Sequence, residues 1–381
     1  MMKKPEDDFD MVYASSSEVM EITAHDGYKL KGRLTIPGGE KYVSKIVINV
    51  NGSGANTYDN PRGIGNNKKA NWHGLFAGEF SKRGTAFFAY NTRGIDIGGS
   101  PPMYFEMDEE AYQTYLPLNS VEDIYHMIKA IKENERLKDA KVYLLGWSEG
   151  TVIAPLVAEK YPDMVDGLFL VGYVNINMKD VVTWQNSGGP SMVWYRAHFE
   201  TDEHGWVSRE AYEADPNKVV ASVLQNAAFE DIDNDKNGYI NEEDFAAIWK
   251  DVVGYSLDEL LSAIERRDDK WLRENYGTIN GQSIIPLTSA WFLQHFSLRA
   301  NMEVLPGLDL PIYIFHGELD QNVDAREVYR VNERFLELGK SNLSINVFSG
   351  HDHGLNGDDW LIKNEMSAGI QAIFDTIEGM G

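Results

Sequence analysis

Five residues, Gly146-Trp147-Ser148-Glu149-Gly150, put a serine between glycines straight after the apolar run Lys141-Val142-Tyr143-Leu144-Leu145 and straight before Thr151-Val152-Ile153-Ala154. A serine on a sharp strand-to-helix turn presents its hydroxyl clear of the sheet, and the turn needs small neighbours. The hydroxyl alone is a weak nucleophile at neutral pH, so it needs a base and a third group to orient that base. Two later segments offer them. Asp320 closes His316-Gly317-Glu318-Leu319-Asp320 after one strand-like run, and His353 sits in Gly350-His351-Asp352-His353-Gly354 after the next. Asp324 is the rival acid and His351 the rival base. A developing oxyanion would be met by the backbone N–H of Glu149. A second donor would come from Asn51-Gly52-Ser53-Gly54, with Ser53 preferred and Gly54 second. The competing reading is a plain Gly/Ser turn, with Asp320 as a loop cap and His353 solvated. Arg93 reads as a loop anchor, and His25, His73, His126, His204, His295 and His316 read as surface or packing residues.

These residues need a scaffold that brings distant loops together. Asp26-Gly27 between alternating runs over 18–36 marks a hairpin. Apolar strand-like runs follow at 45–50, 85–90, 141–145, 167–172, 310–315 and 343–348. Val121, Ile124, Tyr125, Ile128 and Ile131 recur at helical spacing, with Asn119-Ser120 as the expected cap. Further helices are expected around 75–80, over 325–340 and over 360–378. Strands alternating with helices imply a mostly parallel sheet covered on both faces. The rhythm breaks over 175–303, which is rich in aromatic and acidic residues. The expected organisation is therefore a core of residues 1–174 and 304–381 with a largely helical cap inserted over 175–303.

The insertion carries an independent signal. Residues 233–244 fit a twelve-residue EF-hand loop, because calcium takes six to eight hard oxygens. Asp233, Asp235 and Asn237 fall at positions 1, 3 and 5, Gly238 at the sharp turn, and Tyr239 supplies a carbonyl. Asn241 acts directly or through water, and Asp244 stands at position 12 where the longer Glu is usual, which predicts weakened affinity. Residues 200–211 share the frame, with His204 at position 5 and Ala211 at position 12, and read as a degenerate partner hand. The segments 206–208 and 239–241 are expected to pair, and a helix over 219–229 to precede the functional loop. A solvated acidic loop is the plain alternative.

The chain has 381 residues, 43% of them hydrophobic, and a formal net charge of −24. That charge disfavours nucleic acid and anionic membrane surfaces as partners. The absence of cysteine removes disulfides, thiol catalysis and Cys-based zinc sites. No apolar run approaches the ~18–20 residues that span a bilayer. The N-terminus shows no secretory signal, so location is left as cytoplasmic, or secreted after trimming. No organic cofactor is expected, and oligomeric state is not legible.

Taken together, the Asp-Gly hairpin, NGSG at 51–54, NTRG at 91–94, GWSEG, HGELD and GHDHG resemble the α/β-hydrolase superfamily of esterases, thioesterases and serine peptidases. The order Ser148, Asp320, His353 is that of its triads, and the resemblance covers about two thirds of the chain. A histidine followed by glycine favours His353 over His351. Asn51 stands where many members have histidine, a departure that leaves a backbone donor unaffected. The resemblance implies an α/β-hydrolase fold and hydrolysis of a small-molecule ester through an acyl-enzyme on Ser148. Thioester or peptide substrates are alternatives, and a non-catalytic calcium-binding interaction protein is the rival from another class.

Overall fold

The computed structural model describes residues 15–39, 41–64, 69–99, 104–214, 227–279, 282–283 and 285–380. Eight strands form the main sheet: β1 (Ser15–Thr23), β2 (Lys29–Pro37), β3 (Lys45–Val50), β4 (Ala86–Tyr90), β5 (Lys141–Trp147), β6 (Gly167–Val171), β7 (Ile312–Gly317) and β8 (Leu343–Phe348). Their order is β1-β2-β4-β3-β5-β6-β7-β8. β2 pairs antiparallel with β1 and β4, and every other neighbour is parallel. The central strands are continuous apolar runs rather than alternating ones, because both faces are covered. All five residues of β4 and of β6 are buried.

Ten helices matter for the site. They are α1 (Trp72–Lys82), α2 (Pro117–Lys132), α3 (Gly150–Lys160), α4 (Met178–Gln185), α5 (Gly189–His198), α6 (Glu242–Val253), α7 (Leu257–Glu265), α8 (Ser289–Phe296), α9 (Arg326–Glu337) and α10 (Ala368–Gly379). Ile124 and Ile128 of α2, Ile153 and Val157 of α3, and Val328 and Val331 of α9 cover one face of the sheet. Phe76 and Phe80 of α1 and Ile370 and Phe374 of α10 cover the other.

Two helix ends differ from the sequence reading. α2 begins at Pro117, two residues before the expected Asn119-Ser120 cap, since proline at the first turn needs no N–H partner. The expected helix over 360–378 is broken in two, Gly357–Lys363 and α10. Asn364 takes the left-handed conformation at φ +57°, and the Ser367 side chain then caps the next helix by accepting from Ile370 N–H.

The chain runs from β3 out to β4 and then crosses back over β3 to β5. Loops leaving the C-terminal ends of β3 and β5 therefore flank one crevice, the usual place for ligands in an open parallel sheet. The segment between β6 and β7 adds no strand to the main sheet among the described residues. It holds α4 to α8 and builds two apolar clusters. One includes Trp291, Phe292, Leu260 and Ile264 and continues onto Tyr115 and Val152 of the sheet-bearing part. The other joins Tyr195, Phe199, Val207, Phe229, Ile240 and Phe245. Val207–Ser208 pairs antiparallel with Tyr239–Ile240, with Val207 opposite Ile240. Of the helix expected over 219–229, residues 219–226 lie outside the described residues, and Phe229–Ile232 form a single turn.

Candidate active site

β5 ends at Trp147 and α3 starts at Gly150, leaving Ser148 at the apex with φ +52°. A non-glycine residue there is strained. The turn is held from three sides. Ser148 N–H donates to Val171 O at 2.9 Å, Ser148 O accepts from Thr151 N at 2.8 Å, and the Thr151 hydroxyl donates to the same carbonyl at 2.7 Å. A Cβ on Gly146 would collide with the Gly150 carbonyl, and one on Gly150 with that of Val50. These close approaches are the physical reason for glycine at both ends of the motif.

β7 and β8 deliver the other two groups. Asp320 is fully buried, and its Oδ1 accepts from the N–H groups of Asn322 (2.7 Å) and Val323 (2.9 Å). Its Oδ2 lies 2.7 Å from His353 Nδ1. Burial pushes against charge on Asp320, but His353 and the backbone N–H of Val323 hold its carboxyl below the ordinary range. Burial likewise opposes an imidazolium at His353, and the charge and hydrogen bond of Asp320 outweigh it, so His353 stands above the usual histidine value. Gly172, at φ +62°, lies close against the His353 ring. A Cβ there would come within 2.6 Å of Cε1.

The rivals go elsewhere. Asp324 pairs with Arg326, and His351 Nδ1 lies 2.9 Å from Ser349 O. His316, read from sequence as a surface or packing residue, is buried beside Asp320. Its Nδ1 accepts from Tyr173 N–H at 3.0 Å, which leaves the proton on Nε2, facing Val323 O (3.1 Å) and Asp320 Oδ2 (3.3 Å). Burial keeps this imidazole below its usual range. Its position four residues before the acid was the only available signal.

Ser148, His353 and Ser53 line one cavity of about 470 Å³. Met178, Val181, Val182, Leu287 and Trp291 give it an apolar wall, while Asn51, Asn56, Asn60 and Arg62 are among its polar residues. Trp291 and Tyr276 line the cavity, whereas Tyr195 is fully buried in the cluster around Phe199. On the loop after β3, Asn56 Nδ2 donates to Gly52 O at 2.9 Å, and Gly54 N–H donates to the Tyr115 hydroxyl at 3.3 Å. Among the described residues the N–H groups of Ser53 and Glu149 have no protein acceptor. Gly54, the second choice of donor, is thus occupied. Arg93 is buried and anchors its loop on Asp123 and Asp26.

The chain from 46 to 351 matches the family model described as alpha/beta hydrolase fold. The chain belongs to this family. Among solved structures, this alpha/beta hydrolase is similar to a highly thermostable carboxyl esterase from Bacillus coagulans, with TM-score 0.53 and 15% identity over 96% of this chain and 99% of that one. An acylaminoacyl peptidase from Pyrococcus horikoshii gives TM-score 0.49 and 11% identity over 97% of this chain and 42% of that one. An esterase from Exiguobacterium antarcticum gives 0.46 and 15% over 94% and 98%. No curated protein sequence matches this alpha/beta hydrolase.

Apart from the cavity, the hydrolase brings Asp233, Asp235 and Asp244 together in the segment between β6 and β7, each offering a carboxylate oxygen within 4.8 Å of the others. The loop is braced from within. Asp233 Oδ2 accepts from Gly238 N–H at 3.1 Å, Asn237 Oδ1 from Tyr239 N–H at 2.8 Å, and Asp244 Oδ2 from Asn241 N–H at 2.9 Å. Gly238 has φ +91°, the sharp turn expected of its position. In 200–211, Asp202 Oδ1 accepts from His204 and Trp206 N–H, and Asp202 joins no carboxylate cluster among the described residues. No helix among the described residues is long and apolar enough to cross a membrane.

Proposed function

We propose that this protein is a serine hydrolase that cleaves carboxylic esters through an acyl-enzyme on Ser148. The observation that carries the reading is the 2.7 Å contact between His353 Nδ1 and a buried Asp320, beside a cavity that also holds the strained Ser148. With Nδ1–H donating to Asp320, the His353 Nε2 lone pair is left to take the Ser148 proton. Ser148 Oγ then attacks the ester carbonyl. The N–H groups of Glu149 and Ser53 receive the oxyanion, and His353 returns the proton to the leaving alcohol. Water repeats the sequence and frees the acid. Asp320 keeps the tautomer and stabilises the imidazolium. The same steps serve thioesters and acylated peptides, and the apolar wall supplied by α4 and α8 would select the acyl part.

The decisive measurement is a p-nitrophenyl ester panel read beside acyl-thioesters and acylaminoacyl anilides. Esters are expected to give a burst of one p-nitrophenol per chain and a mass shift on Ser148. No turnover of any of the three, with no adduct on Ser148, defeats the reading, while turnover confined to thioesters or anilides moves it to those classes.

The second part of the proposal is a calcium ion held by Asp233, Asp235, Asn237, Tyr239 O, Asn241 and Asp244, within a cap of residues 175–303. The converging carboxylates of Asp233, Asp235 and Asp244 support it. The ion would neutralise a buried Asp244 and stiffen the cap, while residues 200–211 lend a strand and no ligands. Calcium is expected to raise the melting temperature by several degrees, since a ligand at ~100 times its Kd stabilises by ~2.7 kcal/mol. Asp233→Ala should abolish that rise. A calcium-dependent rise that survives in Asp233→Ala removes this assignment.

A further inference from the structure

The side chain of Glu149 is a buried carboxylate whose three partners come from two separate parts of the chain. It is 1% exposed. Oε1 accepts from Trp291 Nε1–H at 2.9 Å and from His295 Nε2 at 2.8 Å, both on α8, and Oε2 accepts from the Tyr115 hydroxyl. An ionised carboxylate out of water is tolerated only when its lone pairs are matched, and three donors match it. The directions follow from the chemistry. Gly54 N–H can only donate, so the Tyr115 oxygen accepts from it and the single Tyr115 proton goes to Glu149. Burial and the neighbouring carboxylate both hold that phenol protonated.

The far end of this chain of bonds is the loop beside Ser148. Gly54 adjoins Ser53, and Gly54 O accepts from the Thr92 hydroxyl at 3.0 Å. A Cβ on Gly52 would lie 3.4 Å from Ser148 Cβ, so the loop passes directly alongside the nucleophile. Glu149 therefore carries one proposed oxyanion donor on its own backbone and reaches the loop bearing the other through one tyrosine. We propose that the Glu149 carboxylate and the Tyr115 hydroxyl form a positioning relay that sets the Ser53–Gly54 loop for the transition state. Trp291 and His295 anchor the insertion to the same carboxylate, and Trp291 also lines the cavity, so the placement of α8 and of the oxyanion loop share one fixed point. The relay rests on the acyl-enzyme reading given above.

Tyr115→Phe removes one oxygen and tests it directly. Three quantities are measured: kcat and KM for p-nitrophenyl acetate, Ki for an aryl trifluoromethyl ketone that forms a tetrahedral adduct on Ser148, and the melting temperature. A displacement of about 1 Å in a catalytic group can cost about 10²-fold. The expected result is thus a kcat loss of about 10-fold or more, KM within about twofold, and a Ki raised by a matching factor in a folded variant. Glu149→Gln should move kcat and Ki the same way, and the double variant should lose little beyond the larger single loss, as members of one unit do. A merely structural role would lower the melting temperature without the matched change in kcat and Ki. The relay is overturned by a folded Tyr115→Phe or Glu149→Gln with kcat and Ki within about twofold of wild type, or with a loss confined to KM. If one variant does not fold, the other decides. A wild type that neither turns over nor forms the adduct would instead sink the hydrolase reading itself.

Discussion

Ser148→Ala is expected to lower kcat for p-nitrophenyl ester hydrolysis by about 10⁶-fold, the scale on which removing a triad nucleophile acts. The substitution takes away the one atom that forms the acyl-enzyme and leaves the cavity wall and both proposed N–H donors in place. KM should therefore stay within a few-fold, and a residual rate of about 10³-fold over water should persist from the oxyanion site and binding alone. Stability should hold or rise slightly. At φ +52° the backbone strain is already present with serine, and alanine carries no greater steric demand there. The check is single-turnover kinetics together with mass spectrometry. A Ser148→Ala protein that retains the wild-type rate or still becomes acylated would place the chemistry on another residue.

Asp320→Asn carries the second large effect, a kcat lower by about 10⁴-fold. The amide keeps the shape of the carboxylate but cannot stabilise an imidazolium, and its NH2 turned toward His353 Nδ1 would favour the wrong tautomer. The pH profile gives the sign. His353 works as a base only when neutral, so kcat/KM rises with pH through its pKa, and in the wild type that limb lies above the ordinary histidine value of 6.5 because Asp320 raises it. With Asp320 neutralised, what remains at His353 is burial, the larger influence, which favours the neutral ring, and the weaker charge of Asp352, which opposes it. The acid limb of the residual activity should then move to lower pH. A limb that stays in place, or moves up, would mean that another group controls the titration.

The central strands of the sheet were legible because they are buried on both faces and read as unbroken apolar runs between turn signals, while the β1–β2 hairpin was marked by Asp26-Gly27. Ser148, Asp320 and His353 were legible because each follows such a run within a few residues, where loops of a parallel sheet converge. Helix ends were less so. Pro117 starts α2 by a backbone property that side-chain periodicity does not report, and the break at Asn364 depends on a left-handed residue that an amphipathic pattern passes over. Glu149 was noticed only for its backbone. Its side-chain partners Trp291 and His295 lie on α8, far along the chain, and no local pattern announces a bond between the two. The placement of His316 beside Asp320 was hidden for a different reason. A buried neutral imidazole and a solvated one have the same neighbours in sequence, and only the Tyr173 N–H that fixes its tautomer distinguishes them.

The direct pairing of β6 with β7 also bears on how the chain reaches its native state. Val171 lies beside Phe315 in the sheet, so this contact cannot form until the whole of 172–311 has been drawn into a closed loop. Contacts so distant in sequence slow the search for the native topology. The equilibrium cost is milder, because loop-closure entropy grows only logarithmically and each doubling of length adds about 0.6 kcal/mol. A loop that condenses on its own apolar cluster, as the residues around Tyr195 and Phe245 do, shortens the effective span before the sheet must close. Refolding should accordingly show the apolar cluster around Tyr195 and Phe245 acquiring structure in an earlier kinetic phase than the β6–β7 edge.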